Sequence, residues 1–252
     1  MQRYFLAESL EDYRSAEIVL EGEQFHHMIR VMRMEEDDEV ILVLPDQTDF
    51  KAAIIAVSKD EVHLKWTADE DQSKELPVDV TIASGLPKGD KLEWIVQKGT
   101  ELGAHAFLPF KSDFTIVKWD AKKAAKKQER LSKIAQEAAE QAHRTKVPEV
   151  HSIATFKELL QQSGTYDYCI VAYEENAKNG EMQNFRSVLN QLQPGQSVLI
   201  VFGPEGGLSP KEIQLLEEQR FVVCSLGPRI LRTETAPLYA LSVISYITEL
   251  NK

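Results

Sequence analysis

Apolar and polar positions alternate with a short period through the first 70 residues. Glu39-Val-Ile-Leu-Val-Leu, Phe50-Lys-Ala-Ala-Ile-Ile-Ala-Val and Glu61-Val-His-Leu-Lys-Trp are runs of strand length, with turns at Asp46-Gln-Thr-Asp and Ser58-Lys-Asp-Glu between them. Short strands at this spacing predict a small β-barrel. One helix interrupts it, from about Gly22 to Met32, with Phe25, Met28, Ile29 and Met32 at helical spacing. Residues 67–76 are polar and have no periodic apolar face. A linker at 71–76 therefore separates a first domain, 1–70, from a second, 77–252.

After Pro77 the pattern changes to strand and helix in alternation. Val78–Ala83, Ala106–Phe110, Tyr168–Ala172, Val198–Phe202 and Val222–Leu226 read as strands. A helix from Asp90 to Leu102 turns Leu92, Ile95, Val96 and Leu102 inward and stops at Gly103. Asp120 caps a long helix that ends near Ala142, and Phe156–Gln161 is helical. Ser209-Pro-Lys-Glu is a capping box with Pro at the first helical position, opening a helix to Arg220. Ala236–Leu250 is the final helix. Such alternation predicts an α/β domain: a mostly parallel sheet with helices on both faces.

Charge distribution changes the picture more than composition does. The net charge of the 252 residues is −11, yet residues 1–70 hold 7 Lys/Arg against 17 Asp/Glu while 111–146 hold 10 against 5. An acidic protein can bind RNA through a local basic surface, and a solvated helix face accounts for such a run equally well. Cys169 and Cys224 each sit in an apolar run and read as small buried hydrophobes of a reducing compartment. No Cys/His spacing suits zinc. The start has no signal-peptide core, and there is no run of about 18 apolar residues. The expectation is a cytoplasmic protein with no membrane segment.

Two segments carry candidate chemistry. In Val198-Leu-Ile-Val-Phe-Gly-Pro-Glu-Gly-Gly-Leu-Ser-Pro-Lys-Glu an apolar strand ends in Gly203-Pro204-Glu205-Gly206-Gly207 before a capped helix. Ligands of open α/β sheets bind past the carboxyl ends of strands, and glycines let a backbone approach a ligand closely. A tight turn with no ligand fits this segment as well. Leu226-Gly-Pro-Arg-Ile-Leu-Arg-Thr-Glu-Thr-Ala-Pro also follows a strand and precedes a helix. Its Arg229, Arg232 and Glu234 suit a site for a polar base, or a solvated loop capped at Thr235. Neither a G-x-x-x-x-G-K-[ST] loop nor a G-x-G-x-x-G after a strand occurs, so phosphate-loop and dinucleotide sites are not indicated.

Together these loops resemble those of the bacterial 16S rRNA uridine-N3 methyltransferases, the RsmE family of the knotted SPOUT superfamily. The resemblance covers nearly the whole chain. Arg3-Tyr-Phe, His26-His27-Met-Ile-Arg30-Val-Met-Arg33, Lys91-Leu-Glu-Trp-Ile-Val-Gln97-Lys98-Gly-Thr100-Glu101-Leu102-Gly103 and Glu137-Ala-Ala-Glu-Gln141-Ala-His-Arg144 followed by Pro148 match its signatures in order. One departure stands out: after Phe110 the family often has Ser-Arg, where this chain has Lys111-Ser112-Asp113-Phe114, leaving Lys111 or Lys118 to take the arginine's place.

The resemblance implies an N-terminal PUA-like RNA-binding barrel and a C-terminal α/β domain tied in a trefoil knot. It implies S-adenosyl-L-methionine (SAM) as methyl donor, held by Gly203, Pro204, Glu205, Gly206, Gly207, Leu226, Gly227, Ile230, Leu231, Thr235 and Ala236. No metal is expected. Methylation at N3 needs the weakly acidic N3 proton removed, or charge on O2 and O4 stabilised. Arg232 is the candidate for stabilising charge, Glu234 for orienting it or accepting the proton, and Glu205 is a second base. Arg3, Arg30, Arg33, Lys122, Lys126, Arg130 and Arg144 are the expected RNA contacts, with Lys122, Lys126, Arg130 and Lys133 on one helix face. His26 and His27 read as a surface pair. The expected substrate is 16S rRNA, within the small ribosomal subunit. The family also implies a homodimer, for which Leu238, Leu241, Val243, Ile244 and Ile247 of the final helix are candidate contacts. Two other readings remain: a knotted tRNA methyltransferase and a non-catalytic RNA-binding assembly factor.

Overall fold

A computed structural model describes residues 1–70, 73–174 and 183–251. Contacts divide the chain into two compact units, one of Met1–Lys74 with Glu140–Lys146 and one of Glu75–Ala139 with Val147–Lys252.

The first unit is a five-stranded sheet ordered β1-β3-β4-β5-β2: β1 (Gln2–Phe5), β2 (Glu17–Glu21), β3 (Glu39–Val43), β4 (Asp49–Val57) and β5 (Glu61–Asp69). β1 pairs with β3 in parallel and the other pairings are antiparallel. The alternation seen in the sequence is the cause: Phe50, Ala52 and Ile54 of β4 and Val62 and Leu64 of β5 face one core. Two irregularities in the β4–β5 register, at Lys51/Ala52 and Ile54/Ala56, add the local twist that curls a sheet.

The helix expected over Gly22–Met32 departs from its spacing. A single α-turn, α1 (Gly22–Phe25), passes into a π-helix at His26–Val31. In π winding each amide bonds five residues back, as Met32 N does to His27 O at 2.9 Å. The wider turn keeps Phe25 and Met28 in the core and rotates Met32 out to solvent.

The second unit is an all-parallel sheet ordered β12-β10-β11-β6-β7-β8, with β9 also pairing with β7. Its strands are β6 (Asp79–Gly85), β7 (Ala106–Lys111), β8 (Glu149–Val150), β9 (Ala154–Thr155), β10 (Tyr168–Ala172), β11 (Ser197–Phe202) and β12 (Val222–Cys224). Its helices are α2 (Lys91–Glu101), α3 (Ala121–Gln141, whose last residues join the first unit), α4 (Phe156–Gln162), α5 (Asn184–Leu189), α6 (Pro210–Glu218) and α7 (Thr235–Ser245), the last running into a π-turn at Tyr246–Leu250.

Apolar runs without alternation suit strands covered on both faces. Val198, Ile200 and Phe202 of β11 point into one core, and Leu199 and Val201 into the other. On α7, Leu241 and Ile244 are fully buried in the chain's own core. These two are therefore not available to a second copy. The exposed large residues of that helix end are Tyr239, Tyr246 and Leu250. No helix is long and apolar enough to cross a membrane among the described residues.

Candidate active site

β12, β10 and β11 lie side by side and parallel, so the segments leaving their carboxyl ends share one edge of the sheet. Those segments wall a cleft of about 740 Å³: Tyr173 and Glu174 after β10, residues 203–208 after β11, residues 225–233 and Ala236 after β12, and Lys91 from the start of α2. The volume and the position both suit a small-molecule ligand of an open α/β sheet.

The loop after β11 is closed by backbone proximity. A Cβ on Gly203 would lie 2.8 Å from the carbonyl carbon of Gly207, and one on Gly206 would lie 2.8 Å from Cβ of Phe114. Neither position has room for a side chain without a shift. The loop ends in the capping box anticipated for α6: Glu212 N donates to Ser209 Oγ at 3.2 Å and Ser209 N to Glu212 Oε2 at 2.8 Å. Glu212 is only 2% exposed. Its other oxygen accepts from Asp113 N at 2.9 Å, and Ser209 Oγ donates to Asp113 Oδ2 at 2.6 Å. A buried carboxylate is tolerated because backbone amides satisfy it. The Lys111–Phe114 segment, where the chain departs from the family pattern, thus packs through Phe114 and bonds through Asp113 to this loop; Lys111 and Lys118 are exposed.

Glu205 is engaged chiefly through one oxygen. Its Oε1 accepts from Lys91 Nζ at 2.9 Å and from Lys88 N at 3.1 Å, and its Oε2 has Lys88 N at 3.4 Å. Burial works to raise its pKa, but the Lys91 hydrogen bond and backbone amides of Glu205 and Lys88 outweigh it and hold the carboxyl below its ordinary value. On the other side, Lys91 is held above the ordinary lysine value, chiefly by its hydrogen bond to Glu205.

The loop after β12 is looser. Arg229, Ile230 and Arg232 are exposed. The turn into α7 is made by Thr235 N and Ala236 N, which both donate to Arg232 O, at 2.8 and 3.0 Å. Glu234 sits at the helix N-cap without a side-chain capping bond. Its Oε2 is shut off from solvent, accepts no hydrogen bond, and has Lys91 Nζ at ion-pair distance, 3.4 Å.

This geometry can be set beside known proteins. Residues 74–245 match the RNA methyltransferase domain family, and residues 20–65 match the RNA methyltransferase PUA domain. The chain is 54% identical to ribosomal RNA small subunit methyltransferase E of Bacillus subtilis over 99% of its own length and 98% of the relative's. The chain belongs to the ribosomal RNA small subunit methyltransferase E family. A solved ribosomal RNA small subunit methyltransferase E from Neisseria gonorrhoeae, bound to S-adenosyl methionine, superposes with a TM-score of 0.85 at 27% identity over 98% of both chains. A putative methyltransferase from Legionella pneumophila, in complex with the bound cofactor SAM, does so at 0.82 and 28% identity over 96% of both.

Within this member of the methyltransferase E family, the cleft gathers Gly203, Pro204, Glu205, Gly206, Gly207, Leu226, Gly227, Ile230, Leu231, Arg232 and Ala236. Thr235 is exposed at the start of α7 and does not line the cleft, and Glu234 reaches it through Lys91. Two expected RNA contacts are corrected. Arg3 is 2% exposed, ion-paired to Asp49 at 2.8 Å and donating to Arg144 O at 3.2 Å. Arg144 is buried to the same degree. Both guanidinium groups are shut off from solvent inside the fold, which removes these side chains from an RNA surface.

Arg30 is exposed, with its guanidinium 5.8 Å from the centre of the Phe25 ring, and Arg33 is exposed on left-handed backbone with φ +55°. Lys122 and Lys126 are exposed; Arg130 shares Glu93 with Lys127, at 2.7 and 3.0 Å. His27 Nδ1 meets Tyr4 Oη at 2.9 Å, and burial pushes the Tyr4 hydroxyl up to about 12. Among the described residues no group of three or more His, Cys, Asp or Glu is placed to hold a metal. The residue that sequence reasoning passed over is Lys91. A lysine at the first position of the helix that follows a strand, past the short turn 86–90, is the signal that marks it.

Proposed function

We propose that this chain transfers the methyl group of SAM to N3 of a uridine in the 16S rRNA of the small ribosomal subunit. The observation that carries the reading is a cleft walled jointly by the loops after β11 and β12, past the carboxyl ends of parallel strands. The names of the relatives support the same class of substrate and cofactor.

SAM fits the residues present. After β11 a Cβ on Gly203 or Gly206 would collide, so main chain forms that part of the cleft wall and can meet a purine edge, and Gly227 at φ +110° turns the chain after β12. When bound, SAM supplies an electrophilic methyl carbon. The chain's own groups do the rest. Arg232, exposed at the cleft, stabilises negative charge developing on the uracil oxygens. Glu234 accepts the N3 proton. Glu205, held by Lys91 and Lys88 with its carboxyl below the ordinary value, is a poor base and serves the architecture of the site. Arg30 and Arg33 of the first unit, and Lys122 and Lys126 of the second, remain the candidates for RNA phosphates.

The reading includes the trefoil knot and the homodimer implied by the family, with Tyr239, Tyr246 and Leu250 as the apolar groups a second copy would cover, and a cytoplasmic setting beside the ribosome. It is tested by methyl transfer from labelled SAM to small subunits, and to deproteinised rRNA, from cells lacking the gene. Mapping by nuclease digestion and mass spectrometry should place the label at one uridine N3. Label on tRNA instead overturns the substrate, and no label anywhere leaves a non-catalytic assembly factor.

A further inference from the structure

Lys91 stands where three segments of the second unit meet. It opens α2, it hydrogen-bonds Glu205 from the loop after β11 at 2.9 Å, and it lies 3.4 Å from Glu234 of the loop after β12. Two carboxylates thus share one ammonium, and unequally. Glu205 takes the hydrogen bond and a backbone amide besides. Glu234 receives the ion pair alone: its Oε2 is sealed from water beside Lys91, and the side chain's remaining exposure of 23% leaves Oε1 as the oxygen a substrate can reach.

A general base needs a carboxylate not already held by a strong donor, within reach of the proton it removes. We propose that Lys91 is a positioning residue for methyl transfer: it ties Glu205 down as a structural carboxylate and orients Glu234, weakly held, as the acceptor of the uridine N3 proton. This rests on the function proposed above. The step balances. The N3 proton passes to Glu234 Oε1, the carboxylate oxygen not sealed against Lys91, the freed N3 electron pair forms the bond to the methyl carbon, and the carbon–sulfur electrons stay with sulfur, which ends as a neutral thioether. Glu234 then returns its proton to water from that same oxygen. Without Lys91 two carboxylates that lie 2.9 and 3.4 Å from its ammonium are left with no cation between them, and like charges so placed favour keeping one proton.

The test uses the full chain as wild type and as Lys91→Met, Lys91→Arg, Glu205→Gln and Glu234→Gln. Three quantities are read: SAM affinity by calorimetric titration, the thermal midpoint, and the pH profile of methyl transfer to small-subunit rRNA. Lys91→Met should lower kcat about 100-fold, move the acid limb of the profile to higher pH, and change SAM affinity far less than kcat. Lys91→Arg, which can still bridge two carboxylates, should restore most of the rate. Glu234→Gln should cost more than Glu205→Gln. Lys91→Met that lowers the thermal midpoint and SAM affinity while the acid limb stays in place would reduce Lys91 to a strut and overturn the proposal. So would Glu205→Gln proving the costlier of the two. Wild-type protein that binds no SAM overturns the proposed function itself, a failure told apart because it appears before any variant is made.

Discussion

The two loops that wall the cleft are built on opposite terms. After β11, every polar group on which the loop depends has a partner: Glu205 on Lys91 and Lys88, Ser209 on Glu212 and Asp113, Glu212 on two backbone amides. After β12, Arg229, Ile230 and Arg232 face solvent and Glu234 has one long ion pair. The first loop is finished in the free protein, and the second holds its polar groups in reserve. A site that must seat a cofactor and then handle a base benefits from this division, because preorganisation costs least where the ligand is constant and free donors are needed where charge develops.

The division is broken most directly at Arg232. Arg232→Ala should lower kcat/KM for methyl transfer about 1,000-fold, roughly 4 kcal/mol of transition-state stabilisation, with SAM affinity within a few-fold and the urea midpoint unmoved. Equal loss of rate and affinity would make Arg232 part of the scaffold and erase the contrast. Glu212→Ala attacks the other loop. It leaves two amides without their acceptor in a buried place, and should destabilise the fold by about 2–4 kcal/mol, read as a lower urea midpoint. Gly206→Ala comes next: a Cβ 2.8 Å from Phe114 forces a local shift worth about 1–3 kcal/mol and should weaken SAM binding in a titration. An unchanged affinity would show that this turn is spare packing.

The same contrast explains what the sequence could show. The loop after β11 was legible because its signals are local: an unbroken apolar strand, glycines, then Ser209 and Glu212 three residues apart. The parallel sheet followed from such runs. What escaped depends on partners far along the chain. Arg3 looks like any exposed cation until Asp49, 46 residues on, is found beside it. Lys91 and Glu205 are 114 residues apart. β1 was missed because a four-residue strand pairs in parallel with β3, and β8 and β9 because they have two residues each. Met32 fell on the wrong face because helical spacing assumes α winding, and the chain turns π at His26.

The smallest effect falls on Glu205, and pH makes it specific. Its folded pKa is depressed, so its contribution to stability is full above the unfolded value, near 4.3 for a glutamate, and is lost as pH falls through the lower folded value. The carboxylate is partly exposed, so the contribution is that of a screened pair, at most about 1 kcal/mol. Glu205→Gln removes the charge and keeps the shape. Urea denaturation at pH 7 should find the variant less stable by up to about that amount, and at pH 3 the gap should narrow, because wild type is losing the same charge. A gap that stays constant between the two would mean that Glu205 holds its loop by packing and neutral hydrogen bonds alone. The scaffold loop would then owe nothing to Lys91, and the unequal sharing of that lysine would no longer separate one loop from the other.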